Sequence, residues 1–211
     1  MLNNKLVTFL LVIFLPTVSA SHASEKPTDV PVIDSALTIE RSFEGLDPNC
    51  PPEIKNNQAL IDVLYYSADG LIHKGQVMMD QRLADDIRTI FEVALETRFP
   101  ITSVIPLSQF DWSDEDSMSA NNTSGFNYRE VTGGKKLSNH AYGFAVDINP
   151  LLNPFIKNDL TLPANSVYNP EKPGTLTADH AIVKAFLKLG WEWGGNWQSL
   201  KDYQHFEKVM K

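Results

Sequence analysis

Two short segments hold the side chains best suited to chemistry: Ser138-Asn139-His140-Ala141-Tyr142-Gly143-Phe144-Ala145-Val146-Asp147 and Asp202-Tyr203-Gln204-His205-Phe206-Glu207. Between them they offer two imidazoles, a carboxylate ligand and a spare acid. That is the donor set of a zinc ion that does chemistry, held by three protein ligands with a fourth position left for water; a structural zinc closes all four positions and favours cysteine. The chain has one cysteine, Cys50. Asp202 lies three residues before His205, where it can serve as general base to a water at the metal. The chemistry that follows is hydrolysis.

Positioning these groups places demands on the elements around them. His140 and Asp147 are seven residues apart with Gly143 between them, a spacing that lets a tight bend return a strand beside the imidazole. Phe144, Val146 and Ile148 alternate with Ala145, Asp147 and Asn149, so a strand here turns Asp147 away from the large apolar residues. Asp202 and His205 share one side if their segment is turn-like or helical. Each pair taken alone also fits a plainer reading. A histidine before a strand can be a satisfied polar residue, Asp147 or Asp202 can cap a turn, and His205 can pack on Trp197. Arg129, in Phe126-Asn127-Tyr128-Arg129, is the cation expected nearest the site, where a guanidinium can stabilise a developing oxyanion; its plainer role is a surface ion pair. His22 falls in or beside the leader, His73 has no evident acidic neighbour in sequence, and His180 sits with Asp179 in the first turn of an expected helix. None of the three is a candidate ligand.

The scaffold reads as α+β: a small antiparallel sheet with helices packed on it. Ile61, Val63 and Tyr65 mark a strand ending at a Ser-Ala-Asp-Gly turn, with Leu71 to Met79 as its partner. Asp80 caps a helix whose apolar positions Leu83, Ile87, Ile90, Phe91, Ala94 and Leu95 follow the 3.6-residue period. Ile101 to Ile105 reads as a strand. Asp111 to Asn122 reads as a long surface loop of the kind that borders sites, and Pro150 to Thr177 as a second. A helix over Thr177 to Leu189 stops at Gly190, and Trp191 to Trp193 forms a short strand entering a Gly-Gly turn.

The N-terminus carries an apolar run, Leu6 to Leu15, behind Lys5, followed by small-residue pairs suited to cleavage. Residues 1–23 are therefore expected to be a signal peptide, residues 24–52, with five prolines, a linker or loosely packed arm, and residues 53–211 the catalytic domain. Export implies an oxidising compartment, but Cys50 alone can form no internal disulfide. The chain has 18 basic and 26 acidic residues, a formal charge of −8. That balance argues against nucleic acid as a partner and against electrostatic attachment to anionic lipid. A secreted or periplasmic protein without stable membrane insertion is expected.

These residues resemble the M15 peptidases of bacterial cell-wall metabolism, which include D-alanyl-D-alanine carboxypeptidases, dipeptidases and phage L-alanyl-D-glutamate endopeptidases. The resemblance rests on Ser138-x-His140-x-x-Gly143-x-Ala145-x-Asp147, on Asn121 to Arg129 upstream, and on Trp193-Gly194-Gly195-x-Trp197 leading to Asp202-x-x-His205-Phe206. It implies an M15/hedgehog-like zinc peptidase architecture, with zinc (Zn2+) held by His140, Asp147 and His205, Asp202 as catalytic base and Arg129 as a substrate- or oxyanion-binding residue. An aspartate base resembles the endopeptidase-like branch, whereas the van-type dipeptidases use glutamate. The expected activity is hydrolysis within peptidoglycan stem peptides, as an endopeptidase. Two rivals remain: a D-alanyl-D-alanine carboxypeptidase on the same scaffold, and a wall-binding module that keeps zinc without turnover.

Overall fold

The computed structural model describes residues 30–208 and 210; the expected signal peptide lies outside them. Residues 30–208 are mixed α and β, as expected, but the strands are divided among four small sheets rather than gathered in one. The longest unit is the hairpin of β2 (Gln58–Tyr66) and β3 (Ile72–Asp80), paired antiparallel over nine residues. Ile61, Val63 and Tyr65 face the core from one side of β2, as their alternation requires. Asp80 caps the following turn by accepting from the Arg82 amide, and the chain runs into α2 (Ala84–Glu96). Ile87, Ile90, Phe91 and Ala94 of α2 are buried on that hairpin and on α4 (Ala181–Lys188), which contributes Ile182, Val183 and Phe186.

The other face of this core is the sheet that matters for chemistry. It is formed by β6 (Ala145–Asp147), β11 (His205–Glu207) and β9 (Glu192–Trp193), antiparallel with β11 in the centre. Val146 and Phe206 point inward, and Phe206 is stacked on Phe186 with ring centroids 3.9 Å apart. Burying a side chain of this size contributes roughly 1.5–3 kcal/mol. Among the described residues no helix is long and apolar enough to cross a membrane.

Several expectations need correction. The arm does not stand apart where it is described: β1 (Val32–Ile33) pairs in parallel with β3, Gln76 accepts hydrogen bonds from Ser35 and Leu37, and Cys50 packs with Met78 and Phe126. These contacts reach partners about 30 to 75 residues away in sequence, and the arm's own residues carry no apolar period that would announce them. His73 does have acidic partners, Asp34 at 2.9 Å and Asp69 at 3.0 Å. Burial opposes its charge, but the two carboxylates win and raise its pKa. His180 caps α4 by accepting from the Ile182 amide at 3.3 Å, so that helix starts four residues later than expected. The strand expected at Ile101 to Ile105 is only β4 (Ser103–Val104), parallel to β5 (Asn122–Thr123).

The two expected loops also hold elements. The acidic stretch forms α3 (Asp114–Ser119), capped by Ser113, and ends at Asn122, which is fully buried and hydrogen-bonded to Ile105 and Ser117. The Pro150 to Thr177 segment contains a hairpin of β7 (Phe155–Lys157) and β8 (Leu160–Leu162), whose β7 also pairs with β10 (Lys201–Asp202). Asn149 and Asn153 hold the rest of that segment by amide bonds to Pro100, Gly174 and Leu176.

Candidate metal centre

Asp147 and His205 stand directly opposite each other on β6 and β11. Cross-strand partners have Cβ atoms about 5 Å apart on one face of the sheet, so the register alone brings the carboxylate to the imidazole. His205 Nδ1 lies 2.9 Å from Asp147 Oδ1. His140 reaches the same point from outside the sheet. It sits in a 3-10 turn, Asn139–Tyr142, capped by Ser138, and Gly143 at φ +72° swings the chain back into β6. A Cβ at Gly143 would lie 2.2 Å from Gln58 Oε1 and 2.5 Å from the Asp80 amide, so glycine is needed for space as well as for its dihedral. His140 Nε2 is then 3.2 Å from both Asp147 Oδ1 and His205 Nδ1.

All three side chains are buried, and their donor atoms lie within 4.8 Å of one another. Two ring nitrogens and one carboxylate oxygen aimed at a common point, with no thiol, fit a zinc ion that keeps an open coordination position. The outer hydrogen bonds fix which ring atoms face inward. His140 Nδ1 is 2.6 Å from the Gly125 carbonyl and His205 Nε2 is 2.9 Å from Glu207 Oε2, so each imidazole can donate outward and present its other nitrogen to a metal. Glu207 is fixed in turn by the Asn139 amide at 2.7 Å.

The electrostatics follow from this packing. Burial works to raise the pKa of Asp147, but the two imidazoles outweigh it and hold the carboxyl below the usual range. Burial likewise opposes charge on His205, yet hydrogen bonds to Asp147 and Glu207 raise it to about 10. Glu207 is held low by the His205 hydrogen bond. Asp202 behaves oppositely, pushed up to about 7 chiefly by burial, and its Oδ1 is buried without a hydrogen-bond partner. Gly194 permits its position, since a Cβ there would come within 2.8 Å of Asp202 Cβ.

All five residues singled out in the sequence line one cleft of about 310 Å3: Arg129, His140, Asp147, Asp202 and His205. Arg129 Nη2 is 3.0 Å from Asp114 Oδ2 and Nη1 donates to the Glu130 carbonyl, which leaves its buried Nε without a partner. Trp197 also lines the cleft, with its ring 5.5 Å from that of His205, so packing and the carboxylate contact occur together. The sequence reading missed Glu207, Asn139 and Asp114. For Glu207 a signal existed: residues two apart on a strand share a face, so a strand through His205 carries Glu207 beside it.

A buried two-histidine, one-aspartate cluster could hold a metal ion, and the nearby Asp202 carboxyl of raised pKa could exchange a proton beside it. Residues 132–208 match the family model described as D-alanyl-D-alanine carboxypeptidase, a segment that contains His140, Asp147, Asp202 and His205 and stops short of Arg129. Over that segment the chain is similar to the M15 peptidases. No solved structure matches it.

Proposed function

We propose that this protein is an exported zinc peptidase that cleaves within peptidoglycan stem peptides, with His140, Asp147 and His205 as the metal ligands and Asp202 as the catalytic base. The observation that carries the reading is the convergence of three buried donors beside a carboxyl with an unpartnered oxygen in one cleft. A bound zinc ion supplies Lewis acidity toward the scissile carbonyl and makes a water molecule a stronger acid. Asp202, with its pKa near 7, accepts a proton from the attacking water and returns it to the leaving amine. Arg129 lines the cleft with its guanidinium held in place by Asp114, and brings positive charge toward a substrate oxygen. Glu207 and Asn139 hold the His205 ring, and the Gly125 carbonyl holds the His140 ring.

The aspartate base, similar to that of endopeptidase-like M15 members, favours an internal cut. So does the pairing of Arg129 with Asp114, which occupies the guanidinium that a free terminal carboxylate would seek. The second reading, a D-alanyl-D-alanine carboxypeptidase, draws on the description of the matching family model. Matched stem peptides with free and amidated C-termini separate the two. Comparable kcat/KM on both supports the endopeptidase, while loss of cleavage on the amidated peptide assigns a carboxypeptidase.

A further inference from the structure

The cleft is walled by two ribbons, and each brings one lysine to it. One ribbon runs from Arg129 to Ser138. Glu130 bridges Leu137, the Val131 amide donates to the Lys136 carbonyl at 2.9 Å, and the Ser138 amide donates to the Arg129 carbonyl at 3.0 Å. The other is the β7–β8 hairpin, in which Phe155 lies across from Asp202. Lys157 is two residues further along β7 and so shares the cleft face with Phe155. At about 3.3 Å per residue it stands some 7 Å along the strand from the base's cross-strand neighbour, roughly two residues of an extended peptide away. Lys136 and Lys157 both line the cleft and are exposed.

Within the cleft these two lysines are the cations left open to a ligand. The chain carries a formal charge of −8, and Arg129, the third cation lining the cleft, is already paired with Asp114. Among the described residues, neither Lys136 nor Lys157 forms an ion pair. With a divalent cation in the site, the carboxylates of Asp147, Asp202 and Glu207 still outweigh it by one charge. The two lysines turn that balance positive.

We infer that Lys136 and Lys157 are specificity residues that select anionic peptides, each pairing with a carboxylate that flanks the scissile bond on its own side. This rests on the peptidase reading and adds the substrate's charge pattern to it. Exposed ion pairs of this kind contribute up to about 1 kcal/mol, roughly two- to fivefold in affinity for each lysine.

The test is calorimetric titration of zinc-loaded Asp202→Asn protein, which binds without consuming peptide, with one stem peptide as the free acid, fully amidated, or amidated only at its C-terminus. The free acid is expected to bind about 4- to 25-fold more tightly than the full amide when both lysines act, with the gap narrowing in high salt. Lys136→Met or Lys157→Met should each remove about half of that advantage in free-energy terms while leaving the amide's affinity and the zinc content unchanged. Lys→Arg at either position should keep the advantage. Equal affinity for free acid and full amide would overturn the inference. So would loss of the whole advantage on C-terminal amidation alone, since the lysines would then be reading a chain end. Turnover is scored separately on the wild-type protein: charge-selective binding without cleavage sinks the peptidase reading and leaves the two lysines as selectors of anionic peptide without a scissile bond to flank, and cleavage without charge selection overturns the role of the lysines and leaves the peptidase reading standing.

Discussion

At the scale of single residues, Glu207 joins the candidate metal cluster to the rest of the fold. It accepts from His205 and from Asn139, so it fixes which His205 nitrogen turns inward. Removing such a partner typically costs 10- to 100-fold in metal affinity. Glu207→Ala should therefore weaken zinc binding by about that factor in a chelator competition, and Glu207→Gln, which keeps an acceptor, should lose less. Asp202, the proposed base, has the opposite role, since in that role it must lose a proton. Its pKa is raised to about 7 by burial, so it is protonated and idle below that pH and active above it. A dication in the site lowers that value, which places the acid limb of kcat/KM at or below pH 7. Asp202→Asn should remove that limb and cut kcat by roughly 10²–10⁴ while zinc stays bound. Retention of both the limb and the rate would show that another group is the base.

At the scale of elements, β11 does two jobs with alternate residues. His205 and Glu207 face the candidate metal centre, while Phe206 between them is buried against Phe186 and Trp193. Truncating such a residue costs about 3–5 kcal/mol, so Phe206→Ala should lower the denaturation midpoint sharply and weaken zinc binding along with it. A stable variant with full zinc affinity would mean that β11 is not held from its inner face. The division of labour on β6 was legible in the sequence because Phe144, Val146 and Ile148 alternate with Asp147. On β11 it was hidden by length: three residues are too few for a period, and Asp202-x-x-His205 suggested a turn instead. The β7–β8 hairpin was hidden for a related reason. Its strands are three residues each and sit among prolines and asparagines, so composition pointed to a loop while cross-strand pairing with β10 decided the structure. The helix α2, with four turns of regular apolar spacing, needed no such help.

At the scale of the whole molecule, the site depends on pieces that are distant in sequence. Gly125 lies against Met78 and Met79 of β3 and offers its carbonyl to His140, Ser124 pairs with Asp147, and α3 supplies the Asp114 that holds Arg129. The candidate ligands stand out by residue type and spacing, and the fold brings His140, Asp147 and His205 together. Asp114, Lys157 and Asn139 could not, since a single charged or amide residue in a polar stretch carries no local mark of the cleft it reaches. The central claim is that this cleft cleaves peptidoglycan stem peptides through its three metal ligands and Asp202. Mass spectrometry of defined muropeptides incubated with zinc-loaded wild-type protein and with Asp202→Asn tests it most directly. Internal cleavage by the wild type, abolished by a chelator and by the substitution, is the expected result. Intact muropeptides with fully zinc-loaded wild-type protein would contradict the claim and leave a zinc-bearing wall-binding module in its place.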